Sequence, residues 1–224
     1  MHYKKPLFTT GTIASLLAVT LSSYAGTSAT LTLSGTVTPA ACTIALSGGG
    51  TLTFDPVSIE ALPSTGTYTM KPKTIDTIVD CQNTAQAVAI SFVDNRKDSV
   101  ATHTDELTDS NTAFGLGTND DALKIGSYGI KISKVTAEGT QGSLLSSTGK
   151  TMASAWSSLG ADTFVNNGTT AQYITFTETS GSAPVSKKNY TFTLEVTPSI
   201  SSEMKGITST ANLDGNTTIN VDYM

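Results

Sequence analysis

Short runs in which apolar and polar side chains alternate recur along the chain, separated by glycine, proline, asparagine and serine. A period of two sends successive side chains to opposite faces of a strand. The runs predict strands at Leu31–Val37, Ala41–Leu46, Thr51–Phe54, Thr74–Cys81, Ala87–Val93, Tyr128–Val135, Tyr173–Thr177, Tyr190–Val196 and Thr217–Tyr223. In Val88-Ala89-Ile90-Ser91-Phe92 and in Tyr190-Thr191-Phe192-Thr193-Leu194-Glu195-Val196 the large side chains share one face, which predicts an all-β sandwich with one buried and one wet side to each sheet. Helical periodicity is scarce, and Met152–Leu159 with Trp156 is the stretch read as a helical turn or short helix. Asp94–Asp121 and Ala137–Gly168, polar and glycine-containing, read as loops. Neither an internal repeat nor a linker divides the chain, so a single domain is expected after its leader.

Alternation is sharpest near the two ends. In Thr217-Thr218-Ile219-Asn220-Val221-Asp222-Tyr223-Met224, Ile219, Val221 and Tyr223 share a face, and the sequence offers this strand no following hairpin partner. In Ala29-Thr30-Leu31-Thr32-Leu33-Ser34-Gly35-Thr36-Val37, the shared face carries Ala29, Leu31, Leu33, Gly35 and Val37. Such a pair of strands is expected of a subunit that another chain completes; the alternative is that residues 29–37 are the first internal strand and fold back on their own domain. Burial of Leu31, Leu33 and Val37 would give roughly 5 to 9 kcal/mol gross. Ordering costs about 1 to 2 kcal/mol per residue, so the segment gains only in a preformed groove. Gly35, without a side chain, suits a shallow point in that groove and reads as the position that sets register.

Residues 1–25 combine Lys4 and Lys5, an apolar run from Ile13 to Leu21 and the small-residue pattern Ser23-Tyr24-Ala25, the layout of a cleaved secretory leader. The apolar run is shorter than the ~20 residues of a membrane-spanning helix. Cleavage after Ala25 removes both lysines and takes the formal charge from −5 to −7, a balance that disfavours nucleic acid. Two cysteines, Cys42 and Cys81, in an exported chain read as a disulfide. In the chain-entropy account such a loop stabilises the fold by about 4 kcal/mol.

Catalytic chemistry finds little to work with. His2 leaves with the leader and His103 lies in an acidic loop, so a nucleophile, base and orienting acid cannot be assembled. Phe114-Gly115-Leu116-Gly117 lacks the lysine and hydroxyl residue of a phosphate loop and reads as a turn. Asp94, Asp98, Asp105, Glu106, Asp109, Asp120 and Asp121 do not fit the spacing of a calcium-binding EF-hand loop. The triplets at Asn167, Asn189 and Asn216 match the glycosylation pattern, at a frequency this asparagine- and threonine-rich composition produces by chance. The expectation is a protein that is not an enzyme and holds no cofactor or metal.

The segment Leu31-Thr32-Leu33-Ser34-Gly35-Thr36-Val37-Thr38-Pro39-Ala40-Ala41-Cys42-Thr43 resembles the amino-terminal extension and first cysteine strand of chaperone-usher fimbrial subunits, the pilins of type 1 and P pili. Ile78-Val79-Asp80-Cys81, the following Ala87–Phe92 and the penultimate Tyr223 are similar to theirs too. Lys124-Ile125-Gly126-Ser127-Tyr128-Gly129-Ile130 looks like the DUF1120-like branch of fimbrial proteins. The resemblance implies an incomplete immunoglobulin-like sandwich lacking its last strand, with a groove beside Ile219, Val221 and Tyr223. It divides the chain into a signal peptide (1–25), a donor-strand extension (26–38) and a pilin domain (39–224). A periplasmic chaperone would fill the groove first, and the extension of a neighbouring fimbrial subunit would replace it at an outer-membrane usher. Export through the periplasm to an extracellular fimbrium on the cell surface, with adhesion to a host glycan or surface receptor, follows from the same likeness. The chain departs from typical pilins in its longer loops and in having no clear glycine upstream in the last strand between Gly206 and Gly215. The rival reading is a secreted, self-complete carbohydrate-binding or adhesin module whose long loops, Trp156 and tyrosines form a sugar platform.

Overall fold

The alternating runs fold into an all-β architecture. A computed structural model describes residues 42–101 and 107–224. Its strands are β1 (Thr43–Leu46), β2 (Thr67–Thr69), β3 (Lys73–Asp80), β4 (Val88–Asp94), β5 (Phe114–Gly115), β6 (Gly126–Ala137), β7 (Thr140–Gln141), β8 (Ser143–Ser147), β9 (Ser157–Leu159), β10 (Tyr173–Thr177), β11 (Asn189–Ser201) and β12 (Thr217–Tyr223). The first sheet runs β1-β3-β11-β6-β5, with β2 also on β11 and β7 on β6; the second runs β12-β4-β10-β8-β9. All ladders between these strands are antiparallel. The sheets pack face to face as a sandwich, and the described residues contain 3-10 turns but no α-helix.

Burial follows the pleat. Ile75, Thr77 and Val79 of β3, Tyr190, Phe192 and Leu194 of β11, and Val88, Ile90 and Phe92 of β4 all point into the core. Phe176 of β10 meets Tyr190 of β11 edge to face at 6.0 Å, joining the two sheets. The Tyr190 hydroxyl accepts the Lys187 N–H and lies within bonding reach of the Val185 and Gln86 carbonyls, so a buried phenol anchors the turn entering β11. Burial pushes that phenol up to about 12. One extra residue in β6, Ser133, shifts its register against β11 between Thr193 and Leu194, a bulge of the kind that bends long strands. The disulfide joins Cys42, just ahead of β1, to Cys81, just after β3.

Several expectations change. Thr51–Phe54 keeps the side-chain alternation of a strand, with Leu52 and Phe54 packed against the core, but it has no ladder partner among the described residues. Met152–Leu159 is not helical. Ser154 Oγ accepts the Thr151 N–H and the Trp156 indole N–H donates to the Thr151 carbonyl, after which Ser157–Leu159 joins β8 as β9. Side-chain bonds to the backbone compete with helix formation at such residues. The expected loop at 137–168 therefore carries β7, β8 and β9, and that at 94–121 carries β5. In β5, Gly115 approaches the Arg96 carbonyl so closely that any Cβ would overlap it. The leader 1–25, the extension 26–38 with Ala29, Leu31, Leu33, Gly35 and Val37, and His103, Asp105 and Glu106 lie outside the described residues.

The Thr77 hydroxyl is buried without a hydrogen-bond partner among the described residues. Because an unpaired buried hydroxyl costs its lost hydration, Thr77→Val is expected to raise stability by about 1 to 2 kcal/mol, read as a higher denaturant midpoint at unchanged slope.

Candidate functional site

The sandwich closes unevenly. β1 is an edge of the first sheet and β12 an edge of the second. Ile44 stands opposite Val79 and shares its inward face, yet Ile44 is 41% exposed where Val79 is 0%. Tyr223 stands opposite Val88 in the same way, 42% exposed against 0%. Ile219 and Val221, opposite Phe92 and Ile90, are only half-buried. Inward-facing side chains on both edges thus lack the cover that their neighbours one strand further in possess.

Between the edges lies an apolar groove of about 190 Å³. Its floor is the inner face of the first sheet at Ile75, Leu194, Val196 and Ile130, and its walls are Leu46, Leu52 and Phe54 on one side and Leu213, Thr217 and Ile219 on the other. Leu52, Phe54 and Leu213 also line a wider cleft of about 810 Å³ that continues between residues 51–59 and 207–213. The Thr51–Phe54 run that lacked a partner is therefore a wall of the groove.

The ladder phase shows where the edge hydrogen-bonding groups point. Asn95 donates to the Asn216 carbonyl and Met224 to that of Ala87, so the even-numbered residues of β12 exchange bonds with β4. Alternation turns the N–H and C=O of Thr217, Ile219, Val221 and Tyr223 to the open side, the same residues whose side chains face inward. On the opposite edge, Cys81 donates its N–H to Lys188, away from β1, and the Cys42 backbone bonds to Tyr223, away from β3. The Ile44 backbone groups and the Leu46 N–H therefore also point into the gap, while the Leu46 carbonyl begins the 3-10 turn Ser47–Gly50 and both Cys42 groups meet the Tyr223 hydroxyl. Among the described residues, the outward backbone groups of Ile44 on one side and of Thr217, Ile219, Val221 and Tyr223 on the other have no strand partner, and they flank one apolar floor.

Both walls are held from behind. The Tyr128 hydroxyl bonds Thr217 Oγ1 at 2.6 Å, and burial pushes this phenol up to about 12. Gly215 lies against the Tyr128 ring, where a Cβ would come within 2.8 Å of a ring carbon. Asp214 donates its N–H to Leu116 and pairs its carboxylate with Arg96 at 2.7 Å. Asp222 pairs with Lys150 at 3.0 Å and accepts from Ser91 Oγ. Asp94, opposite Thr217, accepts the Arg96 and Gly115 N–H groups, each at 2.8 Å. Cys42 is tied to Cys81 by the disulfide, which continues the β1–β3 pairing one step past Thr43 and Asp80.

Of the residues singled out in the sequence, Ile219 lines this groove, Val221 and Tyr223 continue the same face of β12 beyond it, and the Tyr223 hydroxyl meets the Cys42 backbone. Asn167 has a structural role: its side-chain amide donates to the Ser110 and Ala113 carbonyls and its oxygen accepts the Thr169 N–H. Among the described residues no cluster of His, Cys, Asp and Glu is placed to hold a metal, and no helix is long and apolar enough to cross a membrane. Sequence reasoning passed over Leu46, Leu52 and Phe54 as walls, although their alternation was visible. It also passed over Tyr128, whose partner Thr217 is distant in sequence.

The class defined so far is an antiparallel β-sandwich with an open apolar groove between two strand edges. A model of the family described as "Protein of unknown function (DUF1120)" matches residues 31–129. The chain is also 28% identical over 213 residues to the uncharacterized protein YhcF of Escherichia coli strain K12, an alignment covering 84% of this chain and 87% of that protein. No solved structure matches at a significant level.

Asp94 supplies a test of the scaffold. Burial outweighs its two backbone bonds and raises its carboxyl above the ordinary 3.8. A carboxyl that holds its proton more tightly when folded favours the native state most below the unfolded value, and that contribution is lost as pH rises through the folded value. The stability of the natural chain relative to Asp94→Asn is therefore expected to fall as pH rises from below 3.8 toward neutrality, read from paired thermal melts.

Proposed function

We propose that the chain is a structural subunit of a surface fibre built by donor-strand exchange, a chaperone-usher fimbrial subunit. The observation that carries the reading is the paired open edge: inward apolar residues of β1 and β12, left partly exposed, with their backbone groups directed into one gap over an apolar floor. An extended segment inserted there would satisfy both rows of hydrogen-bonding groups and cover Ile44, Ile219 and Val221 in one step. The finer fold in this proposal is an immunoglobulin-like sandwich missing one strand. The Tyr190 hydroxyl, turning back to residues just upstream of its own strand, is the kind of corner such sandwiches use.

The proposed occupant in the fibre is the extension 26–38 of a neighbouring copy or related subunit, whose Ala29, Leu31, Leu33, Gly35 and Val37 alternate as the groove demands. Before assembly a periplasmic chaperone would supply the strand, and an outer-membrane usher would host the exchange. The proposed location is accordingly extracellular, on the cell surface, after passage through the periplasm. No catalytic step is proposed.

Deletion of Ala29–Val37 is expected to leave a chain that co-purifies with its chaperone and is absent from fibres, as scored by immunogold labelling; normal incorporation would overturn the assignment. Charged replacements at Val221 and Tyr223 are expected to abolish chaperone co-purification and reduce periplasmic protein on immunoblots. Unchanged capture would remove β12 as the docking strand.

A further inference from the structure

Tyr223 makes a contact that its own ladder does not require. Its hydroxyl accepts the Cys42 N–H at 2.6 Å and can donate to the Cys42 carbonyl, 3.3 Å away. One side-chain oxygen thus serves both backbone groups that Cys42 presents to the gap. A strand laid against β1 would serve the same two groups with the C=O and N–H of one of its residues. The contact spans from the edge of one sheet to the edge of the other, at one end of the groove.

We propose that the Tyr223 side chain substitutes for one residue of the absent strand and so ends the groove: an incoming strand pairs with β1 at the Leu46 N–H and at Ile44 and stops before Cys42. This inference rests on the strand-accepting reading of the groove and concerns only where the strand halts. The need for a stop follows from the pleat. A slip of one residue would turn every apolar side chain of the incoming strand outward, so the apolar floor forbids it. A slip of two residues keeps the same face inward, so alternation alone does not exclude it. A feature at the end of the groove discriminates among registers two residues apart, acting alongside the shallow point expected opposite Gly35.

Both partners of the stop are fixed. Cys42 is bound covalently to Cys81 of the neighbouring strand. Tyr223 is held by the β12–β4 ladder, and the adjoining Asp222 by Lys150 and Ser91. The phenol is thereby presented to the Cys42 backbone by elements that an incoming strand does not have to move. Ile44, two residues beyond Cys42, is the first residue of β1 whose outward backbone groups are left for the newcomer.

The test uses the processed chain with its disulfide formed and a synthetic peptide of residues 26–38, followed by hydrogen exchange and by a paramagnetic label at one peptide end. The natural chain is expected to hold the peptide in one register, with peptide amide protection ending opposite Ile44. Tyr223→Phe keeps the ring and removes both bonds. In the free variant the Cys42 amide is expected to exchange about tenfold faster. With peptide bound, a second register shifted two residues toward Cys42 is expected. A single unchanged register in the variant would overturn the end-stop and leave the groove reading intact, as would peptide protection in the natural chain that extends past Ile44 to Cys42. Failure of the peptide to bind either protein, with both folded by their amide spectra, would remove the strand-accepting reading and this inference with it.

Discussion

An extended backbone carries a hydrogen-bonding group on each side, and a sandwich edge can leave one side without a partner. Here two such edges from different sheets face each other across an apolar floor, and everything around them holds that arrangement in place. Water can satisfy the unpaired N–H and C=O groups, but it cannot cover Ile44, Ile219 and Val221 without the cost of hydrating apolar surface. A strand meets both demands at once, whereas a helix or a small apolar ligand meets only the second. Under the proposed function, the groove would favour occupants with extended backbone and side chains of period two.

Rigidity at the walls explains how such a gap persists. Isolated edges that share an apolar face tend to collapse onto each other or recruit a neighbour. The disulfide holds one wall, and the Tyr128–Thr217 and Asp214–Arg96 contacts hold the approach to the other. Both latter contacts reach residues that lie far away along the chain, so the groove depends on the whole sandwich having formed. Exposed ion pairs such as Arg96–Asp214 add little stability on their own. Their contribution here is positional, since they fix the direction in which the last strand enters its sheet.

The sandwich was legible in the sequence wherever one face of a strand is fully buried. Val88, Ile90 and Phe92, or Tyr190, Phe192 and Leu194, announce a strand by alternation alone. Strands of two or three residues, such as β5, β7 and β9, are too short to show a period, and their pairing is decided by turns and distant partners. Leu52 and Phe54 give the most instructive difference. They alternate as a strand does, yet among the described residues they join no ladder and instead face the apolar groove as one of its walls. Ile219, Val221 and Tyr223 could be placed on one face of a strand in advance, since they lie on one alternating run. Tyr128 and Leu46 could not be joined to them, because the contact that unites them spans sheets. Asn167 carried a misleading local motif, and only its buried bonds to Ser110 and Ala113 reveal its work.

The ladder between β12 and β4 also has a mechanical meaning. Its seven paired residues run lengthwise along the groove wall, from Thr217 opposite Asp94 to Tyr223 opposite Val88. A tug parallel to that wall loads the whole ladder in shear, so its bonds must yield together. The same tug applied crosswise would peel them one at a time. A segment seated beside β12 would inherit this directionality, firm against traction along its axis and easily levered out from one end.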